Sequence, residues 1–237
     1  MQKRTKILIA AGAAIVAAVV AASVYFFGFY LPEKKTAEEM ARLVREYYDN
    51  KLTLYAEENE RYGDFEVDVA FLGDSLTDGY DLAKYYPNYV TANRGIGGET
   101  SHGLEERLEI SLYDLKPKVA VILIGGNNLN TMLENYERML AAIKAELPET
   151  KIILASLTSM GGSWAHKNQI AAYNNVVIEK LADKYGFTFV DLYYPLFDVA
   201  SGEIYADYTS DGAHLTHEGY EVMTATLTPA IEKLFEE

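Results

Sequence analysis

From Glu66 onward, short apolar runs alternate with longer stretches whose apolar residues recur every three or four positions. The short runs span Val67 to Leu72, Tyr89 to Asn93, Lys118 to Ile124, Lys151 to Leu157 and Phe187 to Asp191. The third reads Lys-Val-Ala-Val-Ile-Leu-Ile, almost continuously apolar, as a central parallel strand covered on both faces should. The longer stretches span Ser101 to Leu112, Met132 to Leu147, Lys167 to Tyr185 and Glu218 to Phe235, and their period predicts helices. Gly186 stands where a helix-ending glycine belongs. The alternation predicts an α/β fold: a doubly wound, five-stranded parallel sheet in a flavodoxin-like three-layer α/β/α arrangement. Such sheets place their sites beyond the carboxyl ends of the strands. No internal repeat or low-complexity linker is visible.

Two patterns precede this alternation. Lys3, Arg4 and Lys6 lead into an uncharged run from Ile7 to Leu31. As a helix that run reaches about 37 Å, enough for a hydrocarbon core of about 30 Å. The basic end lies before the run and acidic residues follow from Glu33, which predicts a transmembrane anchor with the C-terminal domain outside the cytoplasm. A cleaved signal peptide, with Ala21-Ala22-Ser23 as its small-residue site, is the competing reading. The apolar run continues through Val24-Tyr25-Phe26-Phe27 and favours a retained anchor. Pro32 to Lys35 is expected to end that segment. A helix is expected from Thr36 to about Asn59, with Thr36 and Glu39 at capping-box spacing. Its stripe of Met40, Leu43, Val44, Tyr47 and Tyr48 is expected to pack on the α/β domain, the alternative being a dimerisation or partner helix. The organisation read from the pattern is 1–31 cytoplasmic basic end and anchor, 32–65 juxtamembrane linker and helix, 66–237 α/β domain.

Composition narrows the partners. The chain of 237 residues carries a net charge of −14 and no cysteine. The charge argues against nucleic acid and against anionic headgroups. The missing cysteines exclude disulfides and thiolate metal sites. No His-Glu-x-x-His helix is present, and Asp74, Asp78 and Asp81 lack calcium-loop spacing, so no metal is expected. The pattern gives no indication of oligomeric state.

Four blocks carry the candidate chemistry: Gly73-Asp74-Ser75-Leu76, Asn93 to Gly98, Gly125-Gly126-Asn127-Asn128 and Asp211-Gly212-Ala213-His214. Each follows a predicted strand or precedes a helix. Ser75 is a candidate nucleophile, which needs a base to take its proton. Alone, Asp74 and Ser75 read equally well as a helix cap. His214 is the candidate base, with Asp211 three residues earlier to fix its tautomer. His217 is its only serious rival; His102 and His166 read as surface or structural. The backbone amides of Ser75 and Gly98 and the side chain of Asn127 are candidate oxyanion donors. The spacing of Gly95, Gly97 and Gly98 does not match a dinucleotide fingerprint. Asn93 reads as a structural tie between loops.

These blocks resemble the SGNH (GDSL) hydrolase family, over about residues 66 to 234. The family's serine falls on Ser75, its glycine on Gly98, its asparagine on Asn127 and its Asp-x-x-His on Asp211 and His214. The family's third block usually reads Gly-x-Asn-Asp; here the last position is Asn128. The resemblance implies ester hydrolysis through an acyl-serine, without a cofactor. Asp74 and Trp164, the latter in Gly161-Gly162-Ser163-Trp164, are candidate substrate contacts. Tyr80, Tyr85 and Tyr86 could line the pocket or simply pack. No apolar lid helix is evident, so short acyl groups are expected. An exported domain points to acetylated wall or capsule sugars, and the resemblance also implies lysophospholipid or thioester substrates. A catalytically silent glycan-binding module is the alternative from another class.

Overall fold

The computed structural model describes residues 31–236. Five strands, β1 (Val69–Gly73), β2 (Thr91–Gly95), β3 (Val119–Leu123), β4 (Lys151–Ala155) and β5 (Thr188–Val190), form one sheet in the order β2-β1-β3-β4-β5. All four pairings are parallel, with Val69 opposite both Thr91 and Val119. The helices are α1 (Leu31–Asn59), α2 (Ser75–Asp78), α3 (Leu82–Tyr85), α4 (Ser101–Glu106), α5 (Leu133–Glu146), α6 (Asn168–Tyr185), α7 (Tyr193–Leu196) and α8 (His217–Glu236).

Strand alternation divides the core in two. Ala70, Leu72, Ala120 and Ile122 face one side, where Leu104, Met132, Tyr136, Met139, Ile143, Ala171 and Ile178 cover them. Val69, Phe71, Val119, Val121 and Leu123 face the other, against Tyr80, Tyr86, Met223, Leu227 and Ile231. Each large apolar side chain so buried contributes about 1.5–3 kcal/mol relative to exposure. Both faces are covered, which is why the strands read as continuous apolar runs.

The elements differ from the sequence pattern in three places. Glu33 to Lys35 are helical, so Thr36 lies inside α1 and does not cap it; this stretch is rich in strong helix formers. The helix predicted from Ser101 to Leu112 stops at Glu106 and a wide turn (Glu109–Tyr113) follows. Arg107 leaves the helical region there, with its guanidinium bonded to backbone carbonyls of Gly73 and Arg94. A hairpin of two-residue strands, β6 (Phe197–Asp198) and β7 (Glu203–Ile204), is too short to leave a periodic signal.

Among the described residues, those from Leu52 onward form one compact unit and those up to Lys51 belong to another. The larger unit therefore starts before the Glu66 boundary suggested by the pattern. Tyr55 donates to the Gly95 carbonyl at 2.6 Å, and Glu58 and Asn59 bond the buried Arg94 guanidinium. Among the described residues of α1 only Tyr55 is buried; Met40, Leu43, Val44 and Tyr47 are exposed. No helix among the described residues is long and apolar enough to cross a membrane. The expected anchor at residues 7–31 lies outside the described residues except for Leu31, which is in α1.

Candidate active site

β1 ends in Gly73, and a Cβ there would lie 2.2 Å from Thr77 Oγ1 and 2.3 Å from the Leu123 carbonyl. Only glycine lets the chain turn this tightly from β1 into α2. Asp74 caps α2 by accepting from the Leu76 amide at 3.1 Å, and Ser75 is the first helical residue. The cap and the nucleophile candidate are thus neighbours performing different tasks.

His214 Nε2 lies 3.0 Å from Ser75 Oγ. Its Nδ1 lies 2.7 Å from Asp211 Oδ2. The other carboxylate oxygen, Oδ1, accepts from the amides of Ala213 and His214 at 2.9 and 2.8 Å. Those bonds from His214 and Ala213 hold the Asp211 carboxyl down at about 2. An ionised Asp211 can only accept, so the proton sits on Nδ1, and Nε2 is left to accept from the Ser75 hydroxyl. His217 is elsewhere: it opens α8, with Tyr85 Oη 2.6 Å from its Nδ1 and Glu221 3.2 Å from its Nε2. His102 lies near Asn128 and Glu134, and His166 near the Ser163 carbonyl.

The oxyanion candidates come from loops after β1, β2 and β3. Asn127 Nδ2 donates one N–H to the Glu99 carbonyl at 2.9 Å, and the side chain lines the cavity beside Ser75. A primary amide has a second N–H to offer there. Gly98, adjacent to Glu99, has φ +79° and nothing within 4 Å of an added Cβ. It is exposed and does not line the cavity itself. Asn93 ties these loops together, donating to Thr77 and Tyr80 carbonyls and accepting from the Gly95 amide. Asn128 accepts from the Ser101 amide and donates to its hydroxyl, so the amide at this position links the β3 loop to α4.

The cavity over Ser75 has a volume of about 90 Å³. Its apolar walls are Leu76, Leu123, Leu157, Met160 and Trp164. Trp164 is 38% exposed at the rim, with Lys167 Nζ 4.2 Å from its ring centroid. Asp74 also lines the cavity, at 5% exposure. Burial pushes its carboxyl up to about 6, against the lowering effect of the Leu76 amide. The tyrosines are not pocket residues. Tyr80 stacks on Tyr220 at 5.0 Å, Tyr86 packs on Phe71, and Tyr85 meets His217.

The loop after β4 is fixed to the loop bearing His214. Gly161 N–H donates to the Gly212 carbonyl at 2.8 Å, and the Gly162 amide donates to Glu203. Two buried groups absent from the motif reading, Glu99 and Arg107, paired at 2.9 Å, bond the loops around the site: Arg107 donates to the Gly73 carbonyl, and the Glu99 carbonyl accepts from Asn127. The available signal was two charges on a segment otherwise buried through Ile96, Leu104 and Leu108.

A family model for the GDSL-like lipase/acylhydrolase family matches residues 71–222. Platelet-activating factor acetylhydrolase IB subunit alpha2 of Rattus norvegicus is 29% identical over 189 residues, covering 73% of this chain and 80% of the relative. A GDSL-like lipase from Bacteroides thetaiotaomicron superposes with a TM-score of 0.68 at 28% identity, covering 77% of this chain and 97% of that one. A catalytic mutant of an acetylxylan esterase from Geobacillus stearothermophilus shares the fold, with a TM-score of 0.59 at 18% identity over 71% of this chain and 95% of that one.

Proposed function

The chain belongs to the GDSL-like lipase/acylhydrolase family and is an ester hydrolase, and from that premise we propose a serine esterase that removes short acyl groups, chiefly acetyl, from carbohydrate. The observation that carries this reading is the unbroken line from Asp211 through His214 to Ser75, at 2.7 and 3.0 Å, opening into a small apolar cavity. Ser75 Oγ attacks the ester carbonyl carbon as its proton passes to His214 Nε2. The carbonyl oxygen, now anionic, is held by the amides of Ser75 and Gly98 and by Asn127. Collapse of the intermediate breaks the ester C–O bond, and the imidazolium gives its proton to the leaving alcohol. Water then attacks the acyl-serine with His214 as base, releasing the acid and restoring Ser75. Asp211 orients the imidazole and stabilises its charged form.

Cavity size supports the acyl assignment. About 90 Å³ is smaller than the ~150 Å³ that holds a benzene in an apolar core, so it suits a two- or three-carbon acyl group. The rat relative's name, an acetylhydrolase, points the same way. A wider groove of about 550 Å³ shares Asn127 with the cavity and is lined by Asn128, Leu129, Asn130, Thr131, His166, Lys167 and Ile170. Its amides and hydroxyl offer hydrogen-bond partners to a hydroxylated acceptor. With the basic end and uncharged run at the N-terminus, the proposal extends to an anchored domain acting outside the cytoplasm.

Initial rates on p-nitrophenyl esters of increasing length, for wild type and Ser75→Ala, test the acyl assignment. Acetate release from an O-acetylated glycan and from an acetylated phospholipid, measured side by side, tests the acceptor. Serine-dependent turnover that falls beyond propionyl and favours the glycan is expected. Preference for octanoyl esters, or for the phospholipid, overturns the acyl or the acceptor assignment respectively.

A further inference from the structure

Arg107 and Glu99 form an ion pair that is almost fully withdrawn from water, at 3% and 7% exposure. Bringing both charges out of water is costly, and their mutual attraction offsets that cost only when the remaining donors and acceptors are bonded. Here they are. The guanidinium donates through Nε to Glu99 Oε2 at 2.9 Å. Through Nη1 it reaches the Arg94 carbonyl at 3.0 Å and Ser111 Oγ at 2.8 Å. Through Nη2 it reaches the Gly73 carbonyl at 3.1 Å. Glu99 Oε1 accepts from the Thr100 amide at 2.9 Å. A Cβ on Gly103 would fall 1.9 Å from that same oxygen, so the carboxylate occupies a space that position 103 must leave open.

The places these bonds end matter more than their number. Gly73 is two residues before Ser75, at the turn that presents the nucleophile. Arg94 lies on β2, whose continuation is the loop holding Gly98. Glu99 follows Gly98, and its own carbonyl takes an N–H of Asn127 at 2.9 Å. One guanidinium is therefore bonded, directly or through Glu99, to each of the three segments that carry the oxyanion donors. Those donors must converge on one oxygen within a few tenths of an ångström, and they come from loops after three different strands.

We propose that Arg107, acting through Glu99, is a positioning residue that sets the three oxyanion donors relative to one another. The proposal rests on the catalytic roles assigned above. A planar fork bonding in several directions is required, so lysine, a single point donor, does not replace it. The His214–Asp211 pair lies on a different loop and is not part of this network.

The test uses the full chain carrying Arg107→Lys or Glu99→Gln, with Ser75→Ala alongside. Active sites are counted by fluorophosphonate labelling to completion, and thermal melts verify folding. Per labelled site, kcat is expected to fall by about 10- to 100-fold, the scale of a small misplacement of catalytic groups. KM is expected to stay within about twofold, because a donor that acts only in the transition state leaves substrate binding alone. The midpoint of the pH profile is expected to stay where it is in wild type. In an Asn127→Ala background the loss from Arg107→Lys is expected to shrink, since the two act on one oxygen. Wild-type kcat per labelled site in a folded variant overturns the proposal, as do additive losses with Asn127→Ala. If Arg107→Lys does not fold, Glu99→Gln, which keeps the shape and removes the charge, decides it by the same readings. Turnover that survives Ser75→Ala instead overturns the catalytic assignment, and the positioning role with it.

Discussion

At Asp74 two demands meet on one side chain. Its Oδ1 caps α2, while the carboxyl lies in the wall of the acyl cavity, where burial raises its pKa to about 6. Between the usual 3.8 and about 6 the folded state holds the proton more tightly than the unfolded chain. Stability therefore falls as pH rises through that window, and the penalty is complete above it. Asn caps as well as Asp and carries no charge. Asp74→Asn is expected to stabilise the fold at pH 8 by up to about 3 kcal/mol, with the gain gone below about pH 4. Urea unfolding at the two pH values checks this; equal gains at both would contradict it. The neighbouring residues show what the sequence discloses at this scale. Ser75, Asn127, Asp211 and His214 stand out because their chemistry is concentrated in short local blocks. Glu99 and Arg107 do not, because their meaning lies in contacts across loops. Tyr80 and Tyr86 follow the serine closely yet turn into the core, since a phenol beside a strand end has two faces to choose from.

Among the elements, strands and long helices were legible because burial on both faces of the sheet imposes a continuous apolar pattern on β3. The break after Glu106 was not, since Arg107 is held by tertiary bonds that override the local period. The two-residue strands β6 and β7 were too short to leave a pattern, yet Glu203 on β7 helps fix the Trp164 loop through the Gly162 amide. That loop and the one bearing His214 meet at their glycines. Gly212 has φ +91°, and a Cβ there would lie 2.1 Å from the Gly161 carbonyl. Neither the backbone angle nor the space tolerates a side chain, so Gly212→Ala must push the two loops apart. A shift of about 1 Å in the base costs on the order of 100-fold in kcat. Steady-state kinetics on p-nitrophenyl acetate checks this; wild-type kcat in a folded Gly212→Ala variant would contradict it.

For the molecule as a whole, the unit that contains the site begins inside α1. Arg94 is fully buried, and Tyr55, Glu58 and Asn59 surround its guanidinium. The sequence pattern placed the boundary at Glu66, because nothing in the helical stripe distinguishes residues that meet β2 from those that do not. A fragment starting at Glu66 loses Tyr55, Glu58 and Asn59 together and opens the Arg94 guanidinium to water. Relative to a fragment starting at Thr36, it is expected to lose at least about 1.5–3 kcal/mol, the scale of one large buried side chain, here Tyr55. Urea midpoints compare the two, and equal midpoints would contradict the role given to α1.

The measurement that bears most directly on the proposed mechanism is mass spectrometry of the enzyme quenched in acid during p-nitrophenyl acetate turnover. His214→Ala and Ser75→Ala are treated in the same way. An added acetyl group is expected on the peptide containing Ser75 in wild type, with no such adduct in either variant. Steady turnover with the acetyl group on another residue, or turnover undiminished in Ser75→Ala, would contradict it.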